Sequence, residues 1–432
     1  MKRTTVALLA ALTATAAIAE DHAPKPDVAT PDAGAASGGG KMSRAAPSAC
    51  AEPKPDCAAT ATPAFGKDGR LWLAFSVGKT VYAAASRDNG KSFAPPVAVA
   101  DVADGVIDAN GEARPKIVAL ANGTLLASYT TRPDKVMIGT IFTSRSIDGG
   151  KSFSPPQPLL TAGGQRFETF VVGPKGRVYA AWLDKTNQLK AKAAGHEFAG
   201  SGIAAGWSDD GGATFQGKQI LLDHACECCR VDAALDRDGL PIFAWRHVFD
   251  GGTRDHYVAK LAVESSKFTA TRLSEDEWAT DSCPHHGPSL TVDAAGGWHA
   301  AWFTKGKKRQ GLFYARSRDG GKTFSQPEHF GDEQRAPSHP AVLAAKGRLY
   351  RVWKEFDGTT TTIALQLSRD GGHAWSAPRV IASTTDASDH PTLIEHKGAA
   401  YLSWLSRKEG YRLLPLPRDE KSVRAAIMLD AK

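Results

Sequence analysis

Short apolar runs broken by glycine-bearing turns recur along the whole chain, as in Pro340-Ala-Val-Leu343, the turn at Gly347, and Leu349 to Trp353. A glycine followed six residues later by an aromatic occurs seven times: Gly69/Phe75, Gly123/Tyr129, Gly176/Trp182, Gly239/Trp245, Gly296/Trp302, Gly347/Trp353 and Gly398/Trp404. Successive glycines stand 54, 53, 63, 57, 51 and 51 residues apart. Runs this short suit strands, and a turn between each pair makes hairpins. One unit of four short strands per roughly 50 residues predicts an all-β chain folded as a β-propeller of seven four-stranded blades. Pro415-Leu-Pro-Arg418 and then Ser422 to Leu429 read as the closing strands of the last blade.

A second repeat lies inside the first. Ser86-Arg-Asp88-Asn-Gly90-Lys-Ser92-Phe93 recurs as Ser146 to Phe153, Ser208 to Phe215, Ser317 to Phe324 and Ser368 to Trp375. The aspartate accepts backbone N–H groups, the glycine tolerates positive φ, and the final aromatic folds back on apolar neighbours. Unit four has a degenerate copy at Val263 to Phe268, and unit seven has none. The motif resembles the Asp-box of the sialidase-like (BNR-repeat) propeller superfamily. That resemblance raises a six-bladed alternative, in which the first or last unit is an appendage. The boxes themselves are outer structural turns, not sugar sites.

The first 60 residues are of another kind. Lys2 and Arg3 precede an apolar stretch from Val6 to Ile18, too short to span a bilayer, and Ala17-Ile-Ala19 supplies small residues for cleavage. Residues 1–19 therefore read as a signal peptide, 20–60 as an Ala/Pro/Gly-rich tether and 61–432 as the propeller. The protein is expected to be exported, secreted or periplasmic, with no membrane span. Cys50 and Cys57 close the tether, and an oxidising compartment favours a disulfide between them. The formal charge of +7, or +5 without Lys2 and Arg3, gives no argument for nucleic acid.

In a propeller, residues just ahead of each unit's first strand ring one mouth of the central channel. Those positions hold Arg114-Pro115 in unit two, Cys226-Glu-Cys228-Cys229-Arg230 in unit four and Cys283-Pro-His285-His286 in unit five. Units six and seven offer His339-Pro340 and His390-Pro391. Thiols and imidazoles from four consecutive blades are thus expected to converge. Two uses fit: a transition-metal site, copper ahead of zinc, or disulfides tying unit four to unit five. After cleavage at Ala19 the chain begins Glu20-Asp21-His22. A free amine, two amides and the His22 imidazole make a square-planar nitrogen set suited to copper(II) or nickel(II).

The resemblance implies a competing function, exo-sialidase-type glycoside hydrolysis. Carried over residue by residue, Arg114, Arg246 and Arg309 match a carboxylate-binding arginine triad, Asp134 the acid/base and Glu227 the partner of a tyrosine nucleophile. The tyrosine itself is missing, because Ser338-His339-Pro340 stands in its place. Lys305 to Arg309 reads as a solvated hairpin, His299 as a packing histidine, and His247 as a neighbour of any site at Arg246. The expected function is therefore metal binding through Cys226, Cys228, Cys229, Cys283, His285, His286, His339 and His390, with His22 as an accessory. The alternatives are the hydrolase and a non-catalytic glycan- or protein-binding propeller. The expected partner is a metal ion or small ligand at the mouth; no protein partner is named.

Overall fold

The structure, a computed structural model, describes Cys50, residues 52–160 and residues 164–418. Seven antiparallel sheets follow one another in chain order. The first is Ala61–Phe65, Leu71–Val77, Thr80–Ser86 and Val97–Asp101, hydrogen-bonded in that order. The innermost strands of the next five blades are Lys116–Ala119, Gln165–Val172, Asp232–Leu235, Ser289–Val292 and Ser338–Ala345. The seventh blade has three strands among the described residues, Thr392–His396, Ala399–Ser406 and Gly410–Pro415. Its innermost strand packs against that of blade one, which closes the ring. The count is seven, so the six-bladed alternative is corrected: the first and last units are blades, not appendages. Ser422 to Leu429 and His22 lie outside the described residues, as does the signal sequence.

The glycine–aromatic repeat has a packing reason. Each aromatic lies on the second strand of its blade, and Phe75, Trp182, Trp245, Trp302, Trp353 and Trp404 are at most 1% exposed. These rings fill the wedge between neighbouring blades, where a large flat side chain buries the most area. Their indole N–H groups are satisfied locally: Trp182 donates to Asp184, Trp302 to Asp276, Trp353 to Glu355 and Trp404 to the Asp389 carbonyl. Trp residues therefore mark the inter-blade core and also stitch it to the strand ends.

The five Ser-x-Asp turns are built alike. In each, the serine hydroxyl donates to the aspartate and accepts the N–H of the second turn glycine, as Ser146 does with Asp148 and Gly150 at 2.8 Å each. The aspartate accepts a further backbone N–H four residues on, from Ser92, Ser152, Thr214, Thr323 or Ala374. The serine and aspartate of each box are thus bonded within the turn, while other box groups reach outside it, as Asp209 does to Arg177 and Arg318 to Asp293.

Cys50 and Cys57 form the expected disulfide. Pro55–Cys57 is a 3-10 turn whose Asp56 accepts the Tyr411 N–H at 2.9 Å, so this segment packs on the outer strand of blade seven. One α-helix, Thr186–Ala193, occurs among the described residues, between the second and third strands of blade three. No described helix is long and apolar enough to cross a membrane.

Candidate metal centre

The outer strand of blade three, Gln216–Ala225, runs directly into the cysteine segment. Its end pairs with the end of the second strand of blade four. Ala225 bridges His247, Val248 N–H donates to the His224 carbonyl, and Cys226 N–H donates to the Arg246 carbonyl at 2.8 Å. The backbone then turns sharply, and Cys226, Cys228 and Cys229 gather in a buried cluster with Val248. Their sulfurs lie 3.6 Å (226 to 228), 3.7 Å (226 to 229) and 3.9 Å (228 to 229) apart. All three, and the exposed Cys283, are free thiols, so the disulfides that would tie unit four to unit five are not formed. Cys283 and His285 of the loop leading into blade five approach Cys228 from the solvent side; the three ligand atoms lie within 4.8 Å of one another.

Two guanidinium groups flank the sulfurs. Arg254 Nη1 donates to Cys226 Sγ at 3.1 Å. Arg246 is 1% exposed and donates to the carbonyls of His286, Arg254 and Phe303, while its plane sits 4.5 Å from the Trp278 ring. Its acceptors are carbonyls rather than a carboxylate, so this buried cation requires a negative charge nearby. Cys226 supplies it. Hydrogen bonds from Cys228 and Cys229, and then the two arginines, hold its thiol well below the ordinary range against the opposing effect of burial. Cys228 and Cys229 are pushed up, Cys228 by the hydrogen bonds it gives its neighbours and Cys229 by burial. Cys283 falls to about 7, chiefly through its hydrogen bond with Cys228.

The histidines expected in the same cluster form a separate column. The rings of Phe303, His286, His339 and His390 stack at centroid separations of 4.2, 4.3 and 3.5 Å. At its end Glu112 Oε1 lies 3.4 Å from His390 Nδ1 and 3.8 Å from His339 Nδ1. Burial holds all three imidazoles neutral, with His390 near 4. His285 and His339 both take left-handed backbone, φ +53° and +48°. Gly111 allows the close approach of His390, since a Cβ there would meet the ring at 2.1 Å.

Glu112 is a residue that the sequence reading missed, although it precedes strand one of its unit just as His390 does, while His339 lies at the start of its own first strand, Ser338–Ala345. Its carboxylate accepts the backbone N–H groups of Arg230 and Gly287 and the Arg230 guanidinium, all at 2.8 Å. It thereby joins the segments that carry the cysteines of blade four and the histidines of blade five to blade two. Burial opposes its charge, yet Arg230 and His390 hold it far below the usual carboxylate range. The ligand atoms of Glu112, His339 and His390 could reach one ion. The Glu112 carboxylate is, however, already taken by three donors, two of them backbone N–H groups from different blades. The geometry fits a clamp better than a metal site.

The three arginines and Glu227 of the hydrolase reading each have partners of their own. Arg114 is buried in an ion pair with Asp389 at 2.7 Å. Arg246 is bound to carbonyls as described, and Arg309 pairs with Asp276 at 3.1 Å on blade five's hairpin. Glu227 pairs with Lys185 at 2.6 Å. Asp134 lies exposed in a loop of blade two beside a cavity of about 540 Å³ between blades one, two and seven. That cavity is lined by Asp108, Asn110, Arg132 and Asp389, and none of the thiols reaches it. His299 is a packing residue, bonded to Tyr314 and Asp293, and Lys305 to Arg309 is the tip of a hairpin.

No protein-family profile and no curated protein matches the sequence. Among solved structures the chain is similar to an ulvan lyase of a new polysaccharide lyase family, seen free and bound to -[GlcA(1-4)Rha3S]-. Identity is 13%, coverage 84% of this chain and 94% of that one, and the TM-scores are 0.57 and 0.56. A Hadza microbial sialidase aligns at 14% identity over 81% of this chain and 76% of that one, with a TM-score of 0.47. The likeness to the lyase bears on the fold alone, and the seven sheets make that fold a propeller.

Proposed function

We propose that this propeller binds a thiophilic transition metal, copper(I) ahead of zinc, through Cys226, Cys228 and Cys229 with Cys283 and His285 beside them. The observation that carries the reading is the sulfur triangle together with its two arginines. A metal bonded to thiolates at ~2.3 Å places them about 3.8 Å apart, the spacing these sulfurs already have. Apolar packing of small thiols would account for the spacing alone. It would not account for Arg246 and Arg254, which lower the cost of ionising the cluster and so prepare it for a cation.

Thiolate ligands with one imidazole are soft donors, which favour copper(I) and zinc over magnesium, calcium or manganese. Cys283 and His285 are exposed, so an ion arriving from solvent meets them first and the buried triangle second. Periplasmic or secreted copper handling fits the export signal read from residues 1–19. The test is metal analysis of protein exported in copper-replete medium. Bound copper that is lost in a Cys226→Ser, Cys228→Ser, Cys229→Ser variant supports the reading. Less than a tenth of an equivalent, unchanged by thiol reduction, overturns it.

A further inference from the structure

The four thiols do not surround one point. Cys226, Cys228 and Cys229 form one set of mutually close ligand atoms, and Cys228, Cys283 and His285 form another. Cys228 belongs to both. An ion held by the first set has three buried sulfurs already spaced for it, and the donors that the second set adds to Cys228, namely Cys283 and His285, are exposed. We infer that the centre holds two copper(I) ions bridged by the Cys228 thiolate, an inner one on Cys226, Cys228 and Cys229 and an outer one on Cys228, Cys283 and His285. This inference rests on the thiophilic-metal reading above and specifies its stoichiometry and its ligands.

Charge selects the oxidation state. With every thiol ionised, four negative charges are balanced by two monovalent ions and the guanidinium groups of Arg246 and Arg254. Two divalent ions would leave two positive charges uncompensated in a largely buried site, a costly arrangement. A soft monovalent ion also accepts the three-coordinate, sulfur-rich surroundings that both sets provide. The backbone serves the outer position too. His285 holds a left-handed conformation, φ +53°, uncommon outside glycine, and in it the imidazole comes within reach of Cys228 and Cys283. Thiols still protonated release their protons to solvent as the ions bind, so no oxidant or reductant is required.

The experiment is an anaerobic titration of the full, reduced chain with copper(I) against a chromogenic chelator, followed by X-ray absorption of the loaded protein. Two equivalents are expected for the wild type, with a short copper–copper vector. One equivalent is expected for His285→Ala and for Cys283→Ser, whose exposed positions make misfolding no concern. A single equivalent in the wild type, unaffected by His285→Ala, overturns the paired site and leaves thiophilic binding standing. Two equivalents without copper–copper scattering overturn the Cys228 bridge. No equivalents at all overturn the parent reading instead.

Discussion

Arg254 Nη1 donates to the sulfur of Cys226 at 3.1 Å, although the two residues stand 28 positions apart on a cysteine segment and a loop of blade four. Its Nε is anchored on the Thr280 carbonyl at 2.9 Å, which fixes the guanidinium against the thiol. A cation held in this way stabilises a thiolate and hence the metal-ready state of the cluster.

Replacing Arg254 with Met keeps the stem and removes the charge. A charge-assisted hydrogen bond contributes roughly 1.5–3 kcal/mol, so copper(I) affinity is expected to fall by roughly 10- to 100-fold. Chelator competition on the variant measures this. An unchanged affinity would show that Arg254 does not tune the thiols.

Glu112 accepts three donors from blades four and five, two of them backbone N–H groups. Glu112→Ala leaves the Arg230 guanidinium without its carboxylate, a loss of about 3–5 kcal/mol. Glu112→Gln, which retains shape and one acceptor, is expected to cost less. Thermal unfolding of the two variants gives the order, and copper binding by the folded fraction is expected to survive in Glu112→Gln. Loss of copper there with unchanged folding would make Glu112 a ligand rather than a clamp.

His247 and His390 are both held near 4, in each case first by burial. Their folded values lie below the unfolded value of about 6.5, so between those two limits the unfolded chain binds protons that the folded chain refuses. Stability is therefore fully present above pH 6.5 and is lost as pH falls toward 4, by at most about 3 kcal/mol per residue. Denaturant unfolding across this range is expected to show that slope, made shallower by His247→Asn. A flat profile between pH 6.5 and 4 would contradict it.

Gly111→Ala drives a Cβ into the His390 ring. Overpacking of this kind costs about 1–3 kcal/mol, read as a lower unfolding midpoint. The thiol cluster lies elsewhere, so the copper stoichiometry of this variant is expected to match wild type. A changed stoichiometry would tie the imidazole column to the metal.

The seven units were legible because each blade needs one large ring at a fixed distance from its hairpin turn, a need met by Phe75 and Tyr129 in the first two copies and by Trp182, Trp245, Trp302, Trp353 and Trp404 in the other five. The site was legible only as a list of unusual residues at one blade position. Its division was not. Cys226 N–H is taken by the Arg246 carbonyl, which pins the thiols to the end of blade four's second strand, away from the histidines stacked beside Glu112. Nothing local in Cys-Glu-Cys-Cys announces that pairing. Glu112 and Arg254 escaped notice for a related reason: their partners lie 118 and 28 residues away, and no short motif records the contact.

Copper K-edge X-ray absorption of the loaded protein tests the central claim most directly. A first shell dominated by sulfur near ~2.3 Å, lost when Cys226, Cys228 and Cys229 are changed to serine, is the expected result. A shell of nitrogen and oxygen alone, or one indifferent to those three substitutions, would contradict the thiol centre.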